Sequence, residues 1–497
     1  MSPNNSLLTG DSSLRQQAVR GIGWTAVAQF GRQLIQFIIL ALLGRLLSTE
    51  EFGLLGMTAV FVGFANLFGE MGFTAALIQR QELTPRHLSS VFWLNLAGGV
   101  IMALLMAFGA PLISQLYQEP RLTPITLLIA VTFPINALGL VHRAILTRQM
   151  RFRALGLSEL LAVLASGLLA LGLALNQFGV WSLVWQALAL AIFTTLFLWG
   201  MTRWWPTGGF SRSAIRELWG YSSNLLGYQA FNYWARNGDN FLIGRFLGAD
   251  ALGLYTRAYT TMLLPVNQVV GILGRVLFPT LAKVQDDHQR VKRIYLQTLA
   301  AIALISFPMM LGLIIIANNF VLVVFGPQWL PMVRTLQILS LVGLLQSVGS
   351  TVGWLYQAQG RTDWMFKWGI AAGTLSLISF VVGTYLGSIE TVALCYAILA
   401  LPLSYWGFAI PGRLIQLSMT EVLLALAPIF GLSCVMAGIT AVTTYFLPPT
   451  WPAWFQLAVQ TAVGGTTYLG LILLLKPAAY RHLCHVILRQ RRENSQS

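Results

Sequence analysis

The chain has 497 residues, of which 56% are hydrophobic and only 9% are charged, and its formal net charge is +15. Because soluble proteins carry about 25% charged residues, this composition excludes a soluble enzyme, a disordered chain and a secreted disulfide scaffold. The chain is therefore expected to lie mainly in lipid. Its positive charge is attributed to the membrane rather than to nucleic acid.

Long apolar segments follow a polar start. Residues 1–20 are predicted to form a cytoplasmic amphipathic segment, and they contain no apolar core with a cleavage site typical of a cleaved signal peptide. A bilayer-spanning helix needs about 20 apolar residues. We predict fourteen such spans at 21–43, 54–78, 89–117, 123–146, 155–176, 179–201, 218–244, 253–279, 294–319, 330–358, 366–387, 390–411, 421–447 and 452–475.

The loop charges predict the orientation of these spans. With the N-terminus in the cytoplasm, 23 of the 31 Lys and Arg residues fall on the cytoplasmic side, 4 on the outer side and 4 within spans. Cytoplasmic loops of membrane proteins carry an excess of Lys and Arg. Both termini are therefore predicted to be cytoplasmic, which agrees with an even number of spans.

An internal repeat predicts the domain organisation. The segment 44–54 matches 244–254 at five of eleven positions, and each copy follows the first helix of a group of six. An even number of helices separates the copies, so the two halves have parallel topology. We predict an N-lobe at 21–205, a C-lobe at 206–412, two further helices at 413–475 and a basic cytoplasmic tail at 476–497.

Ionisable residues inside the predicted spans are the candidate functional residues, because each costs about 2.5–3.5 kcal/mol at the bilayer centre. They are Arg32, Glu70, Glu159, Arg236, Asp239, Arg275 and Arg334. Arg32 lies too deep to reach the interface, so it is expected either to face a wet cavity or to pair with Glu70. Glu159 is expected to pair with Arg151 or Arg153 at the interface. Arg275 and Arg334 lie near span ends, where long side chains reach toward water.

The seventh span is the most polar of the fourteen. Arg236 and Asp239 are three residues apart, and Asn232 and Asn240 lie in the same segment. Either the two charged groups neutralise each other, or the helix lines a polar lumen. Since guanidinium groups bind phosphate oxygens in a bidentate manner, Arg32, Arg236 and Arg275 with Asn232 and Asn240 are the predicted substrate-binding residues. For ion coupling or charge balance, the candidates are Glu70, Asp239 and Glu159.

Catalytic and metal chemistry have little support in the sequence. It contains no Walker A pattern and no Gly-x-Ser-x-Gly motif. His482 and His485 flank Cys484 in the basic tail, and a metal site there is not expected. We therefore predict a transporter with no catalytic residues, no metal and no cofactor. An H⁺ or Na⁺ gradient is its candidate energy source.

Several short motifs resemble those of the polysaccharide transport family of lipid-linked oligosaccharide flippases, in its Wzx/WzxC/TuaB-like branch. They are Gly23-Trp24, Gln33–Phe37, Gly44–Leu47, Glu51–Gly53, Gly72-Phe73, Ala76–Arg80, Ser90–Asn95, Asn240–Arg245, Arg275–Pro279, Phe325-Gly326 and Trp329–Pro331. The similarity covers about residues 15–415, and the last two helices match only in hydropathy. Asp239 falls in a stretch typical of the family, whereas Arg32 matches no family motif.

The resemblance implies a fold and a function. The fold is that of the multidrug/oligosaccharidyl-lipid/polysaccharide superfamily, in which two six-helix lobes form a V that opens alternately to each side. The implied function is transfer of an undecaprenyl-diphosphate-linked oligosaccharide from the inner to the outer leaflet of the bacterial cytoplasmic membrane, for O-antigen, exopolysaccharide or capsule synthesis. The implied partners are membrane lipid, this substrate and polysaccharide polymerase machinery, with no nucleic acid.

Two alternatives remain open. One is a drug/cation antiporter related to multidrug exporters. Such a transporter would favour a net negative charge from carboxylates in its cavity, whereas the predicted spans hold four Arg and three acidic residues. The other is a membrane-embedded glycosyltransferase or polymerase. That class usually has a sizeable outer loop with catalytic residues, and the outer loops predicted here are short.

Overall fold

A computed structural model describes residues 29–69, 77, 84–207, 223–478 and 480–481, and every regular element in these residues is helical. The helices are α1 (described over 29–46), α2 (Thr49–Gly69), α3 (Pro85–Tyr117), α4 (Leu122–Ala130), α5 (Thr132–Arg148), α6 (Phe152–Leu175), α7 (Val180–Thr202), α8 (Ser223–Phe246), α9 (Gly248–Lys283), α10 (His288–Val324), α11 (Val333–Gly349), α12 (Val352–Ala358), α13 (Thr362–Tyr385), α14 (Ile389–Gly412), α15 (Met419–Phe446) and α16 (Ala453–Leu475). Short 3₁₀ turns at Pro327–Met332 and Arg413–Ile415 complete the set. The prediction of an all-helical chain is confirmed.

The predicted spans overlap these helices within the described residues. Each of the fourteen overlaps one helix or a run of consecutive short helices. Within the described residues, ten helical stretches are long and apolar enough to cross a membrane. The total of fourteen spans stays a prediction.

Local sequence signals explain where α3 begins and ends. Thr84 and His87 form a capping box, in which the Thr84 backbone N–H donates to His87 Nδ1 at 3.2 Å and the His87 N–H donates to Thr84 Oγ1 at 3.4 Å. Pro85 at the first helical position needs no hydrogen-bond acceptor. At the other end, Gln118 adopts a left-handed conformation (φ 58°), which turns the chain toward α4.

The turn between α3 and α4 holds an ion cluster. Arg121 Nε donates to Glu119 Oε1 at 2.8 Å, and the same guanidinium binds Glu50 in the first turn of α2. The hydrogen bonds from Arg121 lower the pKa of Glu119. This cluster ties the start of α2 to the α3–α4 turn.

The chain divides into two compact units, Met1–Gly253 and Leu254–Ser497, and α9 passes from the first into the second. Helix α8 therefore belongs to the first unit, where it packs against α2. Tyr233 Oη donates to Val60 O at 2.6 Å, and the side chain lies directly over Gly63. The predicted lobe and tail boundaries remain predictions.

The two copies of the sequence repeat contact each other inside the first unit. Gly53 packs on the backbone carbonyl of Ala249, and Gly253 packs on the carbonyl of Thr49, so positions 200 residues apart exchange equivalent contacts. The Thr49 hydroxyl also donates a hydrogen bond to Asp250. A Cβ at either glycine would overlap the opposing backbone, which explains why both copies have Gly here.

In the second unit, amide hydrogen bonds join α10, α15 and α16. Asn319 Nδ2 donates to Gln460 Oε1 at 3.2 Å, and Gln460 Nε2 donates to Thr444 Oγ1 at 2.9 Å. Gln460 is 1% exposed. Such interhelical hydrogen bonds are worth about 0.6 kcal/mol on average in a membrane protein and hold the last helices in register.

Candidate substrate-binding site

One carboxylate in the first unit bridges two guanidinium groups. Glu159 Oε2 accepts from Arg32 Nη1 at 3.2 Å, and Glu159 Oε1 lies 3.1 Å from Arg143 Nη2. The Glu159 side chain is 21% exposed. We call these three residues the arginine clamp. Two Arg and one Glu leave a net positive charge, which would attract an anionic group such as a phosphate.

The helix geometry explains why Glu159 has these partners. The sequence predicted pairing with Arg151 or Arg153, but the ion pairs that the structure shows for Glu159 are to Arg32 and Arg143. Arg151 is the residue that precedes α6, and Arg153 lies six positions before Glu159, about 240° around the helix axis. Glu159 therefore faces α1 and α5 rather than its own N-terminal turn.

A polar cavity adjoins the arginine clamp. It has a volume of about 170 Å³ and is lined by residues of α2, α3, α5 and α7. Arg143 lines the cavity and also belongs to the clamp. The other polar lining residues are Asn66, Asn136, Thr194 and Thr195. We call this space the N-unit cavity.

Two glycines shape the walls of the N-unit cavity. A Cβ at Gly99 would lie 2.9 Å from the Phe133 carbonyl oxygen, and one at Gly139 would lie 3.3 Å from Thr195 Oγ1. Both glycines therefore let neighbouring helices approach closely beside the cavity. The Thr195 hydroxyl donates to the carbonyl of Ile135 at 2.9 Å, so its oxygen retains the capacity to accept another hydrogen bond.

Within the described side chains of the predicted polar helix, α8, Arg236 and Asp239 do not form an ion pair with each other. Arg236 is exposed and makes no hydrogen bond or ion pair in the described part of the chain, whereas Asp239 is 3% exposed and accepts from the Asn240 backbone N–H at 2.8 Å. The two side chains thus turn to different environments, although they are only three residues apart. The Asn240 side chain is partly exposed.

The remaining candidates fall into two groups. Glu70 lies outside the described residues, and so do the side chains of Asn232 and Arg275. Arg334 is 79% exposed and lies 4.0 Å from Glu390, as expected for a side chain near a span end. The predicted roles of Glu70, Asn232 and Arg275 in binding or ion coupling stay predictions.

Sequence reasoning missed Arg143 and the amides near it. The loop-charge pattern assigns Arg143 to the cytoplasmic side rather than to a binding site, and the structure shows it within α5, five residues before the end of the helix. Asn66 and Asn136 are uncharged and lie singly within apolar runs, so no charge pattern marked them. A search for amide side chains within spans would have found both.

Metal binding has no support in the described residues, where no group of three or more His, Cys, Asp or Glu side chains could hold a metal ion. The His482, Cys484 and His485 group lies outside them.

Helices that can cross a membrane, with a polar cavity among the helices of the first unit, define a multi-pass membrane protein. Solved structures share this fold. The lipid II flippase MurJ in an inward closed conformation matches with a TM-score of 0.73 at 14% identity, over 93% of this chain and 99% of MurJ. An inward-facing multidrug resistance MATE family transporter matches with a TM-score of 0.63 at 14% identity, over 78% of this chain and 98% of the transporter.

The chain belongs to the family described as polysaccharide biosynthesis protein, whose model matches residues 42–334. The teichuronic acid biosynthesis protein TuaB of Bacillus subtilis (strain 168) is 30% identical over 94% of this chain and 97% of TuaB. The lipopolysaccharide biosynthesis protein WzxC of Escherichia coli (strain K12) is 30% identical over 75% of this chain and 76% of WzxC. These findings confirm the predicted family.

Proposed function

We propose that the protein is a flippase that moves a lipid-linked oligosaccharide across a membrane for surface polysaccharide synthesis. The family match carries this proposal, since the relatives are named for polysaccharide biosynthesis and the lipid II flippase shares the fold. The arginine clamp adds chemical support, because a lipid diphosphate presents anionic oxygens that guanidinium groups bind in a bidentate manner. The protein is a transporter rather than an enzyme.

The proposal extends to the substrate, the transport mechanism, the membrane location and the energy source. The substrate is an undecaprenyl-diphosphate-linked oligosaccharide, and two lobes in a fourteen-helix bundle move it from the inner to the outer leaflet by alternating access. The chain lies in the bacterial inner membrane with both termini in the cytoplasm. A proton or sodium gradient drives the cycle, and polysaccharide polymerase machinery takes the product.

The predicted orientation places the arginine clamp in the cytoplasmic half of the membrane. Arg143 lies five residues from the end of α5, and Glu159 lies seven residues after the first residue of α6, which corresponds to about 8 and 10 Å along the helix axes. Both of these helix ends are predicted to be cytoplasmic. The clamp would therefore meet a substrate that enters from the leaflet in which we propose transport to begin.

A drug/cation antiporter is the weaker alternative. An exporter of organic cations needs a carboxylate that is free to face its substrate. Glu159 faces two guanidinium groups instead. A fold shared with the multidrug transporter does not by itself indicate a shared substrate.

A deletion strain tests the proposal. Loss of the gene should abolish one surface polysaccharide and leave its lipid-linked precursor on the inner leaflet, measured by lipid extraction and by labelling from the outer face. Arg143→Ala should restore polysaccharide less well than Arg143→Lys, since lysine retains the positive charge. Arg334→Ala is the matched control, because this arginine is 79% exposed and lies outside the clamp, and it should restore full synthesis.

Two results would count against different parts of the proposal, the first against the flippase function and the second against the binding role of the clamp. One is a deletion strain with unchanged polysaccharide and increased sensitivity to cationic drugs. The other is Arg143→Ala and Arg143→Lys variants, both at normal abundance, that restore synthesis as well as the native chain does. The second result would restrict the clamp to a structural role.

A further inference from the structure

The N-unit cavity contains polar groups that form no hydrogen bond to the part of the chain that the structure describes. The side chains of Asn66, Asn136 and Thr194 line it, and none of them makes a hydrogen bond within the described residues. Elsewhere in the chain, Asn319 and Gln460 are paired with each other across a helix interface. Asn66 and Asn136 are exposed and Thr194 is half-buried, so all three can form hydrogen bonds with water or with a polar ligand that enters the cavity.

The size of the N-unit cavity suits one sugar ring. An enclosed cavity of about 150 Å³ holds benzene, so this partly open cavity of about 170 Å³ has room for one six-membered ring. Its lining also suits a sugar, since amides and hydroxyls both donate and accept hydrogen bonds, and Phe133 offers an apolar surface to ring C–H groups.

Charge gives the ligand an orientation. Arg143 lies in the wall of the cavity, and its guanidinium reaches the carboxylate that also binds Arg32. The net positive charge of the arginine clamp therefore lies beside a neutral compartment of amides and hydroxyls. A sugar attached to a phosphate has this same pattern, with an anionic group next to a ring of hydroxyls.

We propose that the N-unit cavity binds the sugar ring adjacent to the diphosphate, and that Arg143 binds the neighbouring phosphate. Asn66, Asn136 and Thr194 form hydrogen bonds to the ring substituents. This inference rests on the proposed flippase function and assigns one part of the substrate to one part of the protein. It also makes the first sugar a specificity determinant, because polar groups built to bind a substrate hydroxyl discriminate against ligands that lack it.

Binding to purified full-length chain in detergent separates the two contributions. The probes are a short-chain polyprenyl diphosphate and the same carrier bearing one hexose or one N-acetylhexosamine, with Kd measured by intrinsic tryptophan fluorescence. Asn136→Leu and Asn66→Leu should each raise the Kd of at least one glycosylated probe about tenfold, which corresponds to about 1.4 kcal/mol. Both should change the Kd of the sugar-free carrier less than twofold. Arg143→Ala should raise the Kd of all three probes.

Asn176→Leu is the matched control. This amide is exposed at the end of α6 and donates to its own helix at Gly172 O, so its loss should leave all three Kd values unchanged. A thermal melt of each variant establishes that it is folded. Equal Kd changes for sugar-free and glycosylated carriers in the Asn variants would overturn the sugar assignment, as would no change at all. Failure of the native chain to bind any probe would instead contradict the proposed flippase function.

Discussion

The contact between the two repeat copies gives a quantitative prediction for Gly53→Ala. A Cβ at Gly53 would overlap the carbonyl O and C of Ala249 and lie 2.9 Å from Ala249 Cα. These are backbone atoms, so no side-chain rotation relieves the overlap, and α2 must move on the order of 1 Å from the start of α9. Such overpacking costs about 1–3 kcal/mol.

Gly172→Ala is the matched control. Gly172 is also helical and in the same unit, but a Cβ there would meet nothing within 4 Å. Both substitutions gain helix propensity of about 1 kcal/mol, so the difference between the two variants isolates the contact with Ala249. Gly167→Ala adds an intermediate case, because its Cβ would meet the flexible side chain of Ile39 rather than backbone.

Thermal unfolding of the purified variants, followed by tryptophan fluorescence, measures these effects. For a unit of this size, 1 kcal/mol shifts Tm by about 2–4 °C. Gly53→Ala should therefore melt about 2–12 °C below Gly172→Ala, and Gly167→Ala should lie between them. Equal Tm values for Gly53→Ala and Gly172→Ala would refute the close packing of the two motifs and the structural explanation of the repeat.

Two further predictions concern stability. Gln460→Leu should lower Tm, because it removes one hydrogen-bond partner of the Asn319 amide at a cost of about 0.6–1.7 kcal/mol. The control Gln416→Leu changes an exposed amide and should leave Tm unchanged. Equal melting of the two variants would argue against the amide network around Gln460. The pKa of Glu119 is lowered in the native chain by its hydrogen bonds with Arg121. Its ion pair with Arg121 therefore stabilises the native chain at pH values above 4.5, the ordinary pKa of the carboxyl group. This stabilisation is lost as the pH falls through the lowered pKa. The Tm difference between the native chain and Glu119→Gln should thus be largest at neutral pH and shrink below pH 4.5, and a difference that is constant with pH would exclude this ion pair as its source.

Hydropathy and loop charge were enough to predict the helices. Each predicted span overlaps helical structure among the described residues, because a membrane helix satisfies its own backbone hydrogen bonds and the requirement for about 20 apolar residues is a local property of the chain. The repeat was also visible in the sequence, since Gly53 and Gly253 occupy matching positions. The sequence did not show that each of these glycines packs against the backbone of the other repeat copy.

The candidate site depends on long-range packing. Arg32, Arg143 and Glu159 were all visible as charged residues, but which of them pair depends on the rotation of α1, α5 and α6 about their axes and on which helices are neighbours. The N-unit cavity is lined by four helices, and Asn66 and Asn136 acquire their proposed role only because those helices converge. Hydropathy constrains each helix separately, whereas the clamp and the cavity are properties of the packed bundle.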